Sequence, residues 1–213
     1  LDTNSIANLE ILVNEFGEKE YSLLDYLDHC TTSTGKRLFK KWLLSPLYRP
    51  ADINERLDAV EELINLSEAV GKLSKSVQKL PDFERLLARI HGTGNQPADH
   101  PMARAVIYED VSKKRIAALQ QALTGFRDLY RTMSRFVDAA ERVGGLQTKT
   151  LRRLCVITKS AVGLPELEPV LEEFDNQFDL SGDVPKPLPG VDKEYDDAMN
   201  EITQVKSKLD EAL

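Results

Sequence analysis

The sequence is poor in the residues that build compact catalytic or disulfide-bonded proteins. Its 213 residues include two cysteines, three histidines and one tryptophan. Cys30 and Cys155 stand too far apart to give a disulfide framework or a Cys-x-x-Cys ligand pair, and their scarcity suits a reducing compartment. No run of 18 apolar residues occurs, so no membrane-spanning helix is expected. The first residues lack a basic stretch followed by an apolar one, so no secretory signal is expected.

Metal and nucleotide motifs are missing too. His29, His91 and His100 fall in no His-Glu-x-x-His or Glu-x-x-His spacing: Tyr26 stands three residues before His29 and Ala88 before His91. Both read as ordinary helix-end residues, favoured there by the helix dipole. Asp28-His29-Cys30 cannot act as a triad among themselves, since adjacent helical residues point different ways. Thr34-Gly35-Lys36-Arg37 brushes against a phosphate loop but has Cys30 where the first glycine belongs and Arg37 where a magnesium-binding hydroxyl belongs. No catalytic, cofactor-binding or metal-ligating residue is therefore assigned.

What the chain does have is charge and helical period. A net charge of −7 argues against nucleic-acid binding over the whole surface. It divides unevenly: residues 1–160 carry 24 basic and 21 acidic side chains, residues 161–213 carry 4 and 14. Arg127 to Lys159 holds eight basic residues against Asp128, Asp138 and Glu141. Either a modest basic face or simply solvated helix surfaces would give this pattern.

Leu9, Ile11 and Val13 alternate and predict a short N-terminal strand closed by Gly17. Ser22, with Asp25 in the first turn, predicts a helix start. A helix is expected over Ser33–Leu44, with Leu38, Phe39, Trp42 and Leu43 as its apolar face and Pro46 beyond its end. Lys36, Arg37, Lys40 and Lys41 form its basic edge, open to phosphate contact, to docking on an acidic neighbour, or to plain solvation. Pro50 opens the next helix, on which Ile53, Leu57, Val60 and Ile64 share a face. Ser67 is expected to cap another, ended by Pro81. Phe83, Leu86, Leu87 and Ile90 mark a short helix ending at Gly92, before an exposed loop to Pro101.

Ile116, Leu119, Leu123, Phe126, Tyr130, Met133, Val137 and Ala140 then form a heptad-like seam. Gly125 within it predicts a kink or break. A coiled-coil dimer would give the same seam, but packing inside a helical domain is preferred. Further helices are expected around Leu151–Ile157 and Leu167–Phe178. Pro185, Pro187 and Pro189 mark an extended connector. Tyr195, Met199, Ile202, Leu209 and Leu213 line a narrow stripe on a polar helix with no stop signal. That helix is expected to project, and the chain to be a piece of a longer protein. The fold class is mainly α.

Particular residues go further. Leu1-Asp2-Thr3-Asn4-Ser5-Ile6-Ala7-Asn8-Leu9-Glu10-Ile11 resembles the opening of the core (lever) domain of the MutS family of DNA mismatch-repair proteins. Residues 31–47, with Thr32, Gly35, Arg37, Trp42, Leu43, Pro46 and Leu47, resemble that family's Thr-x-x-Gly-x-Arg-x-Leu-x-x-Trp-Leu-x-x-Pro-Leu signature. Ile53 to Val60 and Leu80 to Ile90 follow in the family's order. His100 to Glu109 is similar to a segment of the family's eukaryotic MutS homolog 6 branch.

The resemblance implies a multi-helix core (lever) domain over residues 1–190 with one short N-terminal strand, and a projecting helix over residues 191–213 that leads toward a clamp. It implies a non-catalytic role linking ATPase and DNA clamp, with ATP and magnesium bound elsewhere in the full-length protein and no cofactor here. The implied partners are mismatched double-stranded DNA and a MutS homolog 2 subunit, in the nucleus, and no membrane. The piece alone is expected to bind DNA weakly at most. The alternative is an independent helical scaffold or coiled-coil interaction module.

Overall fold

Side-chain caps decide where most helices begin. In the computed structural model, which describes residues 1–94, 109–158, 163–179, 182 and 185–210, Asp2 accepts the Ser5 N–H at 2.7 Å and opens α1 (Thr3–Asn8). The Ser22 hydroxyl accepts the Asp25 N–H and opens α2 (Leu23–Leu27) as expected. Thr32 does the same for α3 (Ser33–Leu44), through the Gly35 N–H at 3.1 Å. Pro50 starts α4 (Pro50–Asn65), where its missing N–H leaves nothing unpaired.

The remaining helices are α5 (Ser67–Val77), α6 (Phe83–Gly94), α7 (Glu109–Glu141), α8 (Lys149–Cys155), α9 (Glu168–Gln177) and α10 (Lys193–Asp210). Four two-residue strands complete the described structure. Ile157–Thr158 (β1) pairs in parallel with Leu164–Pro165 (β2), and Phe178–Asp179 (β3) pairs antiparallel with Lys186–Pro187 (β4). The chain is mainly α, as the sequence predicts.

Several local expectations fail for identifiable reasons. No strand forms at Leu9–Val13. Glu10 instead takes a left-handed φ of 49°. Its N–H donates to Ala7 O and that of Ile11 to Ile6 O, closing α1 with a Schellman turn. The carbonyls of Glu10 and Ile11 then accept the first N–H groups of α2, so no backbone remains for a strand ladder. Of the three alternating residues only Ile11 is buried.

Ser67 is the first residue of α5 rather than its cap. Leu66 ends α4 and starts α5 while its side chain enters the core, leaving no extended position for a capping hydroxyl. The apolar face assigned to α4 is also not its core face. Ala59, Leu63 and Leu66 turn inward, whereas Leu57, Val60 and Ile64 are exposed. Ile157 and Phe178 leave their helices for strands, the former within a β-branched run that favours extension. α6 continues two residues past Gly92, and the loop expected beyond it falls on residues outside those described.

Gly125 does not break α7. A Cβ built there would lie 2.7 Å from Pro81 Cγ and 3.0 Å from Phe83 Cε1. The glycine serves close approach, beside the stacked rings of Phe83 and Phe126, whose centroids are 4.8 Å apart. No member of the predicted seam is exposed, which fits packing within the chain.

Contacts divide the chain into two compact units, Leu1–Leu86 with Gly125–Pro165 and Leu87–Thr124 with Glu166–Leu213. The first is centred on Ala59, Leu66, Phe136, Ala140, Leu146, Leu151 and Cys155. In the second, Ala118, Ala122, Leu123 and Leu171 are buried. There Asp192 accepts the Tyr195 N–H at the start of α10, while Met199, Ile202, Val205 and Leu209 stay exposed along it.

Candidate functional site: two helix junctions of the first unit

The first junction joins the signature helix to the start of α6. Arg37 projects from α3 so that its two terminal nitrogens meet both oxygens of Asp82 at 2.7 and 2.9 Å, and its Nε donates to Glu84 at 2.7 Å. This planar fork matches a carboxylate in a way a lysine cannot. Hydrogen bonds to Asp82, then to Glu84, raise the Arg37 pKa above its usual value. The same bond from Arg37 holds the Asp82 carboxyl below its usual range. Asp82 also accepts the Arg85 N–H and so caps α6. Gly35 is confined by the cap, since a Cβ there would stand 2.8 Å from Thr32 Oγ1. Trp42, further along the helix, lies under the Arg56 guanidinium of α4 at 3.9 Å.

A cavity of about 390 Å³ adjoins this junction, lined by the hydroxyl run Thr31–Thr34, by Val77 to Phe83 without Lys79, and by Leu129. The predicted basic edge is thus divided. Arg37 is held in ion pairs and also lines a second cavity of about 370 Å³, which Lys36 and Lys40 share with Lys19, Asp25 and Asp28 but without an ion pair to Asp82 or Glu84. Asp28 accepts the Cys30 N–H at 2.9 Å, which lowers its pKa. Burial, then Asp28, raises the Cys30 thiol. This sequence triplet is a turn, with Asp28 bonded to backbone rather than to His29. His91 lies in the last turn of α6, and His100 falls outside the described residues. Among the described residues no group of three or more His, Cys, Asp or Glu could hold a metal ion.

The second junction was not visible in the sequence. Glu62 of α4 accepts the N–H of Gln147 at 2.5 Å and that of Thr148 at 2.9 Å, at the start of α8. Burial pushes its pKa up, but those two bonds, the Thr148 hydroxyl and the Arg152 charge together pull it below its usual value. Glu55, two turns earlier, accepts the Thr150 hydroxyl at 2.8 Å. These partners lie 85 to 95 residues away, so no local pattern announces them.

Two of the motif segments that carry the resemblance, around Arg37 and Asp82, therefore meet each other in space. A family model described as MutS domain III matches residues 4–211. The chain belongs to the MutS family. It is 38% identical to the DNA mismatch repair protein Msh6 of Gallus gallus, an alignment covering 96% of this chain and 16% of that protein. With human Msh6 it shares 35% identity over 100% of this chain and 16% of that protein. The bacterial MutS of an Exiguobacterium strain is 36% identical over 61% of the chain and 16% of that protein. The Msh6 likeness expected from the motifs is thus borne out across the chain. The chain spans about 16% of the length of these MutS relatives.

Proposed function

We propose that this MutS domain III segment works in a Msh6-type mismatch-recognition protein as a helical body that links nucleotide state to DNA grip and performs no chemistry itself. The observation that carries the reading is the domain III match over residues 4–211, joined by Msh6 relatives along nearly the whole chain. In this reading residues 1–190 are the core and residues 191–213 begin the lever. The full-length protein binds mismatched duplex DNA with a MutS homolog 2 subunit in the nucleus, and ATP and magnesium bind in another part of it.

The junctions support a mechanical role. Coupling needs elements with discrete packed arrangements, because close-packed interiors do not deform continuously. An ion-pair fork between α3 and α6, half-buried at Asp82 and exposed at Glu84, is a contact between side chains that opens without breaking the core. The 18 residues of α10 extend about 27 Å, the length a lever helix needs.

The test uses the full-length protein with its MutS homolog 2 subunit, carrying Arg37→Ala. Release from a mismatched duplex on ATP addition is followed by stopped-flow fluorescence. Mismatch affinity without nucleotide should be kept, while ATP-triggered release changes roughly 2- to 30-fold. Unchanged release, in this variant and in one with Lys36, Lys40 and Lys41 all changed to Glu, would sink the coupling role. Tight mismatch-selective binding by residues 1–213 alone in a gel shift would sink the non-reading role.

A further inference from the structure

The first unit exposes an apolar stripe that its own packing does not use. On α4, Leu57, Val60 and Ile64 are 57%, 47% and 67% exposed. Their i, i+3, i+7 spacing lines them along one face. The adjoining face of the same helix supplies Ala59, Leu63 and Leu66 to the core, so the apolar arc of the helix is wider than the core covers. Trp42, 41% exposed, widens the stripe at the edge where Arg56 stacks on it. Scattered exposed aliphatics are ordinary, but three in register along two turns form a patch of the kind that marks interaction sites.

Charge decides what fits there. Asp58 and Glu61 flank the stripe on the side away from Trp42, both exposed. Asp52, Glu55 and Glu62 add to the negative charge of α4, whose sole cation, Arg56, lies against Trp42 on the other side. A second copy of this chain would set carboxylates against carboxylates, which is repulsive at short range. A partner helix whose apolar anchors are flanked by Lys or Arg would find both its needs met, with burial from the stripe and pairing from Asp58 and Glu61. We propose that the outer face of α4 docks a basic amphipathic helix, with Leu57, Val60 and Ile64 as the floor and Asp58 and Glu61 as the selective rim. This holds whatever the fate of the coupling role.

The probe is a synthetic amphipathic peptide of about four helical turns with Leu at i, i+3, i+4 and i+7 positions and Lys elsewhere, compared with the same peptide bearing Glu for Lys. Binding to residues 1–213 is read by fluorescence anisotropy, and the contact surface by backbone amide NMR shifts. The Lys peptide should bind and shift residues 53–64, and the Glu peptide should bind on the order of tenfold more weakly or worse. Leu57→Asp with Ile64→Asp should weaken binding on the order of tenfold or more. Asp58→Lys with Glu61→Lys should weaken it too and flatten its salt dependence. All four positions are on the surface, and circular dichroism confirms that the variants fold; the NMR map of the unaltered chain gives an answer without them. Equal binding of both peptides, shifts centred away from α4, or a chain dimer that Leu57→Asp converts to monomer would each overturn the proposal.

Discussion

The two junctions of the first unit do the same job with different physics. Each ties α3 or α4 to a helix start far along the chain, Arg37 to Asp82 and Glu84, Glu62 to Gln147 and Thr148. The Arg37 fork is half-buried at Asp82 and exposed at Glu84, an ion pair still within reach of water and salt, which weaken it. The Glu62 clamp accepts backbone N–H groups that the start of α8 would otherwise leave unpaired, beside the residues that form the core. Geometry alone would rank the Arg37 fork higher, since it makes more and stronger bonds. The partners reverse the order: Glu62 pairs backbone N–H groups at a helix start whose Leu151 and Cys155 lie in the core, so the clamp should hold the unit together, and the side-chain fork should hold an orientation.

The largest effect should come from the core beside the clamp. Phe136, 3% exposed, packs in the cluster with Ala140, Leu146 and Leu151. Phe136→Ala should lower stability by about 3–5 kcal/mol, through lost burial and a cavity that the helices cannot fully close. Urea unfolding followed by circular dichroism measures it. A loss under about 1 kcal/mol would mean that this cluster does not dominate, and the ranking of the two junctions would fall with it.

Next comes the clamp itself. Glu62→Ala leaves two N–H groups without their acceptor and should cost about 1–3 kcal/mol. Its pH dependence carries a sign. A carboxyl whose folded pKa is below its unfolded value contributes stability above the unfolded value, and that contribution disappears as pH falls through the folded one. The stability gap between wild type and Glu62→Gln should therefore be full at neutral pH and narrow as pH falls below the ordinary glutamate range. A gap that does not narrow in acid would show that Glu62 acts through packing rather than charge.

Neither junction could be read as a junction beforehand, although most helix bounds could. Caps and prolines are local signals, and Ser22, Pro50 and the Ser33–Leu44 period gave their helices directly. Arg37 was legible as a motif residue, but its partners stand 45 and 47 positions away, and nothing local says that two polar segments will meet. Glu62 belongs to no motif, and its partners stand 85 and 86 positions away. On α4 the period did not say which of two apolar faces turns inward, because burial is decided by neighbours rather than by the helix. The same gap misled the reading of Leu9–Val13, where alternation is the signal for a strand but the backbone bonds went to closing α1 and opening α2.

Gly125 separates the two kinds of inference with a smaller effect. If it existed to bend α7, alanine would stabilise the helix by up to about 1 kcal/mol. With Pro81 Cγ 2.7 Å from the new Cβ, overpacking of about 1–3 kcal/mol outweighs that gain, and Gly125→Ala should be destabilising by about 1 kcal/mol. Gly71 in α5 is the control. Its Cβ would meet nothing within 4 Å, so Gly71→Ala should gain a few tenths to about 1 kcal/mol. Parallel thermal melts decide it, and the same sign at both positions would remove the close-approach argument.

The smallest change in stability should come from the fork that looks strongest. Arg37→Ala should lower Tm less than Glu62→Ala, and the loss should shrink further in about 1 M salt, where screening acts within a few ångströms. Asp82 has two roles, so Asp82→Asn, which keeps an oxygen for the Arg85 N–H, is the right partner in a double-mutant cycle. Asp82 is held below its usual pKa by Arg37, so the coupling exists above the unfolded carboxyl value and is lost as pH falls through the folded one. Arg37→Lys sharpens the comparison, because it keeps the charge but loses the planar fork. If Lys restores the stability but not the ATP-triggered release of the full-length protein, the fork fixes an orientation that charge alone cannot. If Lys restores both, Arg37 is an ordinary surface ion pair, and the two junctions differ only in degree.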